Sequence, residues 1–331
     1  MSVLKSQRWL ALVLALGVAP HLARAQSQPA PHLAQSQLQS PSQLPDGYAG
    51  SATCLDCHKK QLTHFGETTH SKVFFKNPRT ALERLGCEAC HGPGKAHAES
   101  GGEDRGGLIV FNFIKSKPSA VDARNGVCLQ CHEKTARMLW EGSTHETRNV
   151  ACTNCHTLMQ NNSDRANLKQ ATVRETCGSC HAKQKNAAMK ASHMPLGENK
   201  LECTSCHNPH GSANPKMLYA TTTNEACYSC HAEKRGPFLW EHAPVVENCA
   251  NCHDPHGSNH EKMLKLSRPR LCQQCHQSTG HPQQPRRVTI SPTGVVTPLP
   301  SDIQFLMNRQ CSNCHFNIHG SNHPSGQAFT R

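Results

Sequence analysis

All twenty cysteines of this chain stand in one five-residue arrangement, Cys-x-x-Cys-His, which occurs ten times. Two thiols at that spacing can add across the two vinyl groups of a porphyrin, and the adjoining imidazole can bind its iron from the same side. The covalent candidates are Cys54 and Cys57, Cys87 and Cys90, Cys128 and Cys131, Cys152 and Cys155, Cys177 and Cys180, Cys203 and Cys206, Cys227 and Cys230, Cys249 and Cys252, Cys272 and Cys275, and Cys311 and Cys314. The matching proximal iron ligands are His58, His91, His132, His156, His181, His207, His231, His253, His276 and His315. A single motif is weak evidence, because zinc ribbons and disulfides also use Cys-x-x-Cys. Ten of them with no cysteine left over predict ten c-type haems.

The sixth ligand decides between catalysis and electron transfer, since an open iron can bind substrate and a filled one can only change oxidation state. Beyond the proximal set, the motif region holds His64, His70, His97, His145, His193, His210, His242, His256, His260, His281, His319 and His323. Twelve candidates for ten places make ligation on both faces feasible, with His64 and His260 expected as surface residues. CHNPH at Cys206 to His210 and CHDPH at Cys252 to His256 place a histidine three residues after the proximal one, badly directed for its own iron and better placed for a neighbouring one. The fourth motif reads CHTLM, so Met159 occupies that position and is expected to be the distal ligand of one haem, at a raised potential. All ten motifs end in histidine, so no altered proximal ligand marks a catalytic haem. The expectation is an electron-transfer protein, not an enzyme.

Little else in the chain builds a conventional core: 36% of the 331 residues are hydrophobic and 5% aromatic. Residues 1–25 read as a secretory signal, with Lys5 and Arg8 before the apolar run Trp9 to Ala19 and a small-x-small site at Ala23 to Ala25. That run is too short to cross a bilayer of about 30 Å. Residues 26–46 are Gln, Ser and Pro-rich and read as a flexible leader. The motifs begin at 54, 87, 128, 152, 177, 203, 227, 249, 272 and 311, a spacing typical of a quasi-linear array whose units touch mainly their neighbours. Residues 47–331 thus form one multihaem cytochrome c domain, mostly irregular, with short α-helices near the motifs such as Asn186 to Ser192. The two long gaps, Glu99 to Asn125 and His281 to Asn308, read as short strands or surface excursions. The formal charge of +12 is offset by the propionates of ten haems, so it is no nucleic-acid footprint.

In several stretches the chain closely resembles the decahaem cytochromes of the MtrA/DmsE type. CEACHGPGKAH at Cys87 to His97, CYSCHAEKRGPFLWEHAP at Cys227 to Pro244, ENCANCHDPHGS at Glu247 to Ser258, LCQQCH at Leu271 to His276 and IHGSNHPSG at Ile318 to Gly326 carry the likeness. The resemblance implies a periplasmic protein threaded into an outer-membrane β-barrel porin. There it would pass electrons between periplasmic cytochromes or other carriers and extracellular iron, mineral or an outer-surface multihaem cytochrome. It also implies His70, His97, His145, His193, His210, His242 and His256 as distal ligands, with His281, His319 and His323 sharing the remaining places. Met159 departs from the histidine of metal-reducing relatives and favours the iron-oxidising branch, with electrons flowing inward from Fe(II). A soluble periplasmic donor to a terminal reductase and a multihaem enzyme with an open haem are the alternatives.

Overall fold

The computed structural model describes residues 44–112, 117–214, 216–276, 288–290, 292–294, 296–298 and 310–330. The expected signal, the leader as far as residue 43, and His281 lie outside the described residues.

Short helices are set by local signals at the motifs. Helix α1 (Ser51–Phe65) carries the first motif and kinks at His58, and α2 (Val121–His132) ends on the third. Helices α3 (Val173–Gly178) and α5 (Thr223–Tyr228) each start from a Thr-x-x-Glu sequence whose threonine lies five residues before a motif's first cysteine. The Thr172 and Thr222 hydroxyls accept from the Glu175 and Glu225 amides, each at 3.1 Å, satisfying N–H groups that a helix start leaves over. The helix expected over 186–192 lies earlier, as α4 (Ala182–Ala187). Its continuation is lost because Ser192 exchanges backbone hydrogen bonds with Ser258, at 3.0 and 2.8 Å, and that pairing needs extended backbone.

The polypeptide alone buries little apolar surface. Among the described residues Phe75, Trp140, Val173, Leu218 and Leu264 are the buried large hydrophobic side chains, whereas Leu239 and Met138 are 77% and 72% exposed. So small an apolar core fits the expectation that haems supply much of the buried apolar surface.

The thiols give the order of the array. First cysteines lie close together in pairs: Cys54 with Cys87, Cys128 with Cys152, Cys177 with Cys203, Cys227 with Cys249, and Cys272 with Cys311. Second cysteines make the junctions between those pairs: Cys90 beside Cys131, Cys155 beside Cys180, Cys206 beside Cys230, and Cys252 beside Cys275. Successive motifs are therefore spatial neighbours from the first to the tenth, and two kinds of junction alternate.

Buried side chains clasp the paired motifs. Asn125 Nδ2 donates to the Val150 carbonyl at 3.2 Å and its Oδ1 accepts the Cys152 amide at 2.8 Å. Asn224 repeats the clasp, donating to the Val245 and Val246 carbonyls at 2.9 Å and accepting from the Cys249 amide at 2.7 Å. Glu88, inside the second motif and buried, accepts the amides of Ala49, Gly50 and Gly94 at 2.8 to 2.9 Å and so anchors the start of α1.

A second set of contacts skips motifs. Gly211, Gly257 and Gly320 follow His210, His256 and His319, with φ of 108°, 127° and 134°. A Cβ on Gly211 would strike the Leu139 carbonyl, one on Gly257 the Ala187 carbonyl, and one on Gly320 the Phe238 ring. The His-Gly-Ser segments of the sixth, eighth and tenth motifs thus dock on chain that follows the third, fifth and seventh. Of the long gaps, the first folds back on the second motif, where the Ile109 amide donates to the His91 carbonyl at 2.8 Å. The second holds an antiparallel hairpin of β1 (Val288–Ile290) and β2 (Val296–Pro298), with Ile290 opposite Val296.

Candidate haem-iron centres

Among the described residues imidazole rings face one another in seven pairs, each joining an expected proximal ligand to an expected distal one. Their ring centroids are 6.4 Å apart for His58 and His97, 6.0 Å for His132 and His70, 6.0 Å for His156 and His210, and 6.1 Å for His181 and His145. The remaining pairs are His207 with His256 at 6.1 Å, His253 with His319 at 6.2 Å, and His276 with His242 at 6.1 Å. A first-row metal sits about 2 Å from each ligating nitrogen, and each ring centre lies roughly 1 Å further back, so two imidazoles on opposite sides of one iron should have centroids ~6 Å apart. Rings in direct stacking contact would be closer. The residues present therefore fit a six-coordinate haem iron.

In six of the paired rings the other nitrogen is committed. Nδ1–H donates to a backbone carbonyl in His145 (Pro209, 2.8 Å), His156 (Ala166, 2.8 Å), His207 (Lys216, 2.9 Å), His242 (Ile318, 3.0 Å) and His253 (Lys262, 2.7 Å). His97 donates likewise to Asp104, at 2.9 Å, and His315 to Ala328, at 2.5 Å. A carbonyl can only accept, so the proton is on Nδ1 and the Nε2 lone pair is left for metal, with the ring held in orientation. His70 Nδ1 is buried without a partner.

Burial keeps several of these rings neutral. It lowers His70, His91, His132, His256 and His319 below the ordinary histidine range, and takes His210 to about 4, with His156 adding repulsion there. A neutral imidazole is the ligating form.

The other expected ligands sit differently. His193 Nδ1 lies 2.5 Å from the Lys190 carbonyl, and its Nε2 lies 3.1 Å from Glu198. His323 Nδ1 accepts the Ser325 amide at 3.2 Å, which places its proton on Nε2, the opposite tautomer from the paired rings. Met159 is 37% exposed. His64 is also exposed, and His260 is half-buried. Sequence reasoning missed Glu88, Asn125 and Asn224; their only signal was a polar side chain at or just before a motif.

Ring angles give an expected spectrum. Five pairs are near-parallel, at 12° to 23°, whereas His145 with His181 is at 46° and His70 with His132 at 58°. Parallel ligand planes split the ferric orbitals more than crossed planes do. The oxidised protein should show two classes of low-spin EPR signal, the minor one, from the irons of His132 and His181, at higher g. One uniform class would contradict these angles.

Comparison with known proteins agrees with the site. The doubled CXXCH motif model matches residues 193–236 and 242–281, and the cytochrome c-type protein NrfB-like model matches 87–173. The multiheme cytochrome MtrA of Shewanella baltica is 44% identical over 284 residues, covering 85% of this chain and 81% of that protein. This chain belongs to the MtrA-type multihaem cytochromes. It carries c-type haems and is an electron-transfer protein. Two further relatives share less: cytochrome c-type protein NrfB of Escherichia coli is 32% identical over 154 residues, 44% of this chain and 73% of that one. The high-molecular-weight cytochrome c of Nitratidesulfovibrio vulgaris is 25% identical over 181 residues, 52% of this chain and 29% of that one. The MtrA-type likeness thus covers most of the chain, and the NrfB-like model falls on the second to fourth motifs.

Proposed function

We propose that this MtrA-type cytochrome is a conduit of ten haems that carries electrons across the outer membrane inside a β-barrel porin. It would connect periplasmic carriers with extracellular iron, mineral or an outer-surface cytochrome. The observation that carries the reading is the unbroken succession of motif junctions in chain order, which gives a path with two distinct ends in place of a cluster around one pocket. The chain's role would be to hold haem iron between facing histidines, of which seven pairs lie among the described residues, and this would allow change of oxidation state and leave no position for substrate at those sites. Haems supply the one-electron chemistry; carbonyls on Nδ1 fix ligand orientation and keep the structural change between oxidation states small.

A barrel partner suits this chain physically. No described helix is long and apolar enough to cross a membrane. A closed barrel is the structure that can shield irregular polar backbone from lipid, and large bacterial barrels have room for a plug. Inward flow from Fe(II) is the favoured direction, on the strength of Met159 in place of a histidine. The NrfB-like match over residues 87–173 favours a second reading, a soluble periplasmic donor to a terminal reductase.

The test is isolation of the protein from outer membranes in detergent, followed by reconstitution into vesicles loaded with a reduced viologen dye. The conduit reading expects a co-isolated barrel and dye oxidation by external ferric iron. A cytochrome found wholly in the periplasmic fraction, with vesicles that do not discharge, would move the function to the soluble donor.

A further inference from the structure

We infer that Met159 is the distal ligand of the iron held by His91, which makes the second centre of the array a His/Met site among bis-histidine ones. The electrical consequence rests on the conduit reading; the ligand assignment does not.

Distal residues are donated by a rule that only the folded chain reveals. After odd-numbered motifs the donor reaches two motifs forward: His70 follows the first and faces His132 of the third, His145 follows the third and faces His181 of the fifth, and His242 follows the seventh and faces His276 of the ninth. Even-numbered motifs donate two motifs back: His210 of the sixth faces His156 of the fourth, His256 of the eighth faces His207 of the sixth, and His319 of the tenth faces His253 of the eighth. The exception, His97 facing His58, belongs to the second motif, for which no motif exists two places back. Met159 follows the fourth motif, so the rule delivers it to the second, whose proximal ligand is His91.

Local backbone supports the equivalence. The fourth, sixth and eighth motifs share one fold, in which His156, His207 and His253 bridge to Leu168, Leu218 and Leu264. In all three the proximal Nδ1 donates to a carbonyl two residues before that leucine, from Ala166, Lys216 or Lys262. The residue three places after the proximal histidine therefore leaves the same bridge in each, and it is Met159, His210 or His256; the turn that Gly211 closes onto Asn208 and Gly257 onto Asp254 is replaced at the fourth motif by a bend.

The His91 environment is consistent with a non-imidazole ligand. Among the described residues the ring beside His91 is Phe111, edge-on at 5.3 Å, and no imidazole faces it. Its Nδ1 contact, to the Ile109 carbonyl, is 3.4 Å, against 2.7 to 2.9 Å for the proximal rings of the fourth, sixth and eighth motifs, so that ligand donates less electron density. A neutral thioether on the other side favours ferrous iron, and both features raise the potential. With haem bound, one electron given by a carrier at either end would reduce this iron from ferric to ferrous and rest there.

Near-infrared magnetic circular dichroism and EPR of the oxidised, fully loaded protein, with a potentiometric titration, test the assignment. The expected result is one thioether-to-iron charge-transfer band, of single-haem intensity, belonging to the highest-potential centre. Met159→His should remove that band and bring the highest potential down among the others, and Met159→Leu should give one high-spin iron. A cryo-EM map of the loaded protein should place the Met159 sulfur on the iron of His91. No such band in the wild type, a band that survives Met159→His, or a sulfur on another iron overturns the inference. Failure of the conduit reading looks different: the band is intact, but no barrel co-isolates and vesicles do not discharge.

Discussion

Serine at both Cys203 and Cys206 is expected to reduce end-to-end electron transfer to background while most of the haem stays in place. The sixth motif joins the fifth through Cys177 and Cys203 and the seventh through Cys206 and Cys230. Deleting its haem leaves the two halves of the array without a junction, and electron tunnelling falls steeply with distance. Serine cannot form the thioether bonds, so the loss is of one cofactor. The measurement is the discharge rate of viologen-loaded vesicles, alongside a haem count by pyridine haemochrome. The same substitution at Cys54 and Cys57 serves as the control, since it shortens the array by its terminal member and should spare transfer among the other nine motifs. Discharge near the wild-type rate in the Cys203/Cys206 variant would mean that electrons do not pass through the motifs in chain order.

The second large effect is on stability, at Asn224. Alanine there removes the acceptor of the Cys249 amide and the donor to the Val245 and Val246 carbonyls at a buried position. Leaving those backbone groups unsatisfied should cost about 1–3 kcal/mol, more than the net value of one ordinary hydrogen bond. The expected outcome is a lower thermal midpoint with a full complement of haems, followed by far-ultraviolet circular dichroism. Asn125→Ala should cost a similar amount, because it breaks the matching clasp between the third and fourth motifs. The two losses should add in the double variant, given their separate partners. Aspartate at 224 keeps the acceptor and loses the donors, so it should fall between asparagine and alanine. An unchanged midpoint in Asn224→Ala would show that the haems, and not these clasps, hold the paired motifs together.

Both predictions bear on one design. A chain with so few buried hydrophobic side chains among its described residues cannot position its haem-binding motifs by packing alone, so polar clasps and backbone contacts carry much of the geometry. His-Gly-Ser is the clearest instance. Gly257 brings its backbone against the Ala187 carbonyl at a φ that glycine alone tolerates readily, Ser258 pairs with Ser192, and His256 is thereby delivered to His207. At the fourth motif the same place reads Met159, Gln160, Asn161, so ligand and glycine are replaced together.

The amino-acid sequence by itself determined every feature that five consecutive residues can encode. The expected covalent attachment and proximal ligands rest on the length of the Cys-x-x-Cys-His segment, and helix starts follow from Thr-x-x-Glu just upstream of Cys177 and Cys227. The irregular, short-helix fold was legible too, because the composition left no alternative core. Tertiary structure decided which histidine faces which, because in six of the seven pairs the partner comes from two motifs away and nothing in local spacing distinguishes forward from backward delivery. Twelve histidines are chemically alike in one dimension. Only the folded chain separates His319, its ring opposite His253, from His323, whose Nδ1 accepts an amide proton. It also moved the expected helix at 186–192 to Ala182–Ala187, since Ser192 is claimed by a partner far along the chain. Local covalent geometry acts over a few bonds and can be read in order, whereas ligand pairing is a property of packing and exists only once the chain has wrapped its haems.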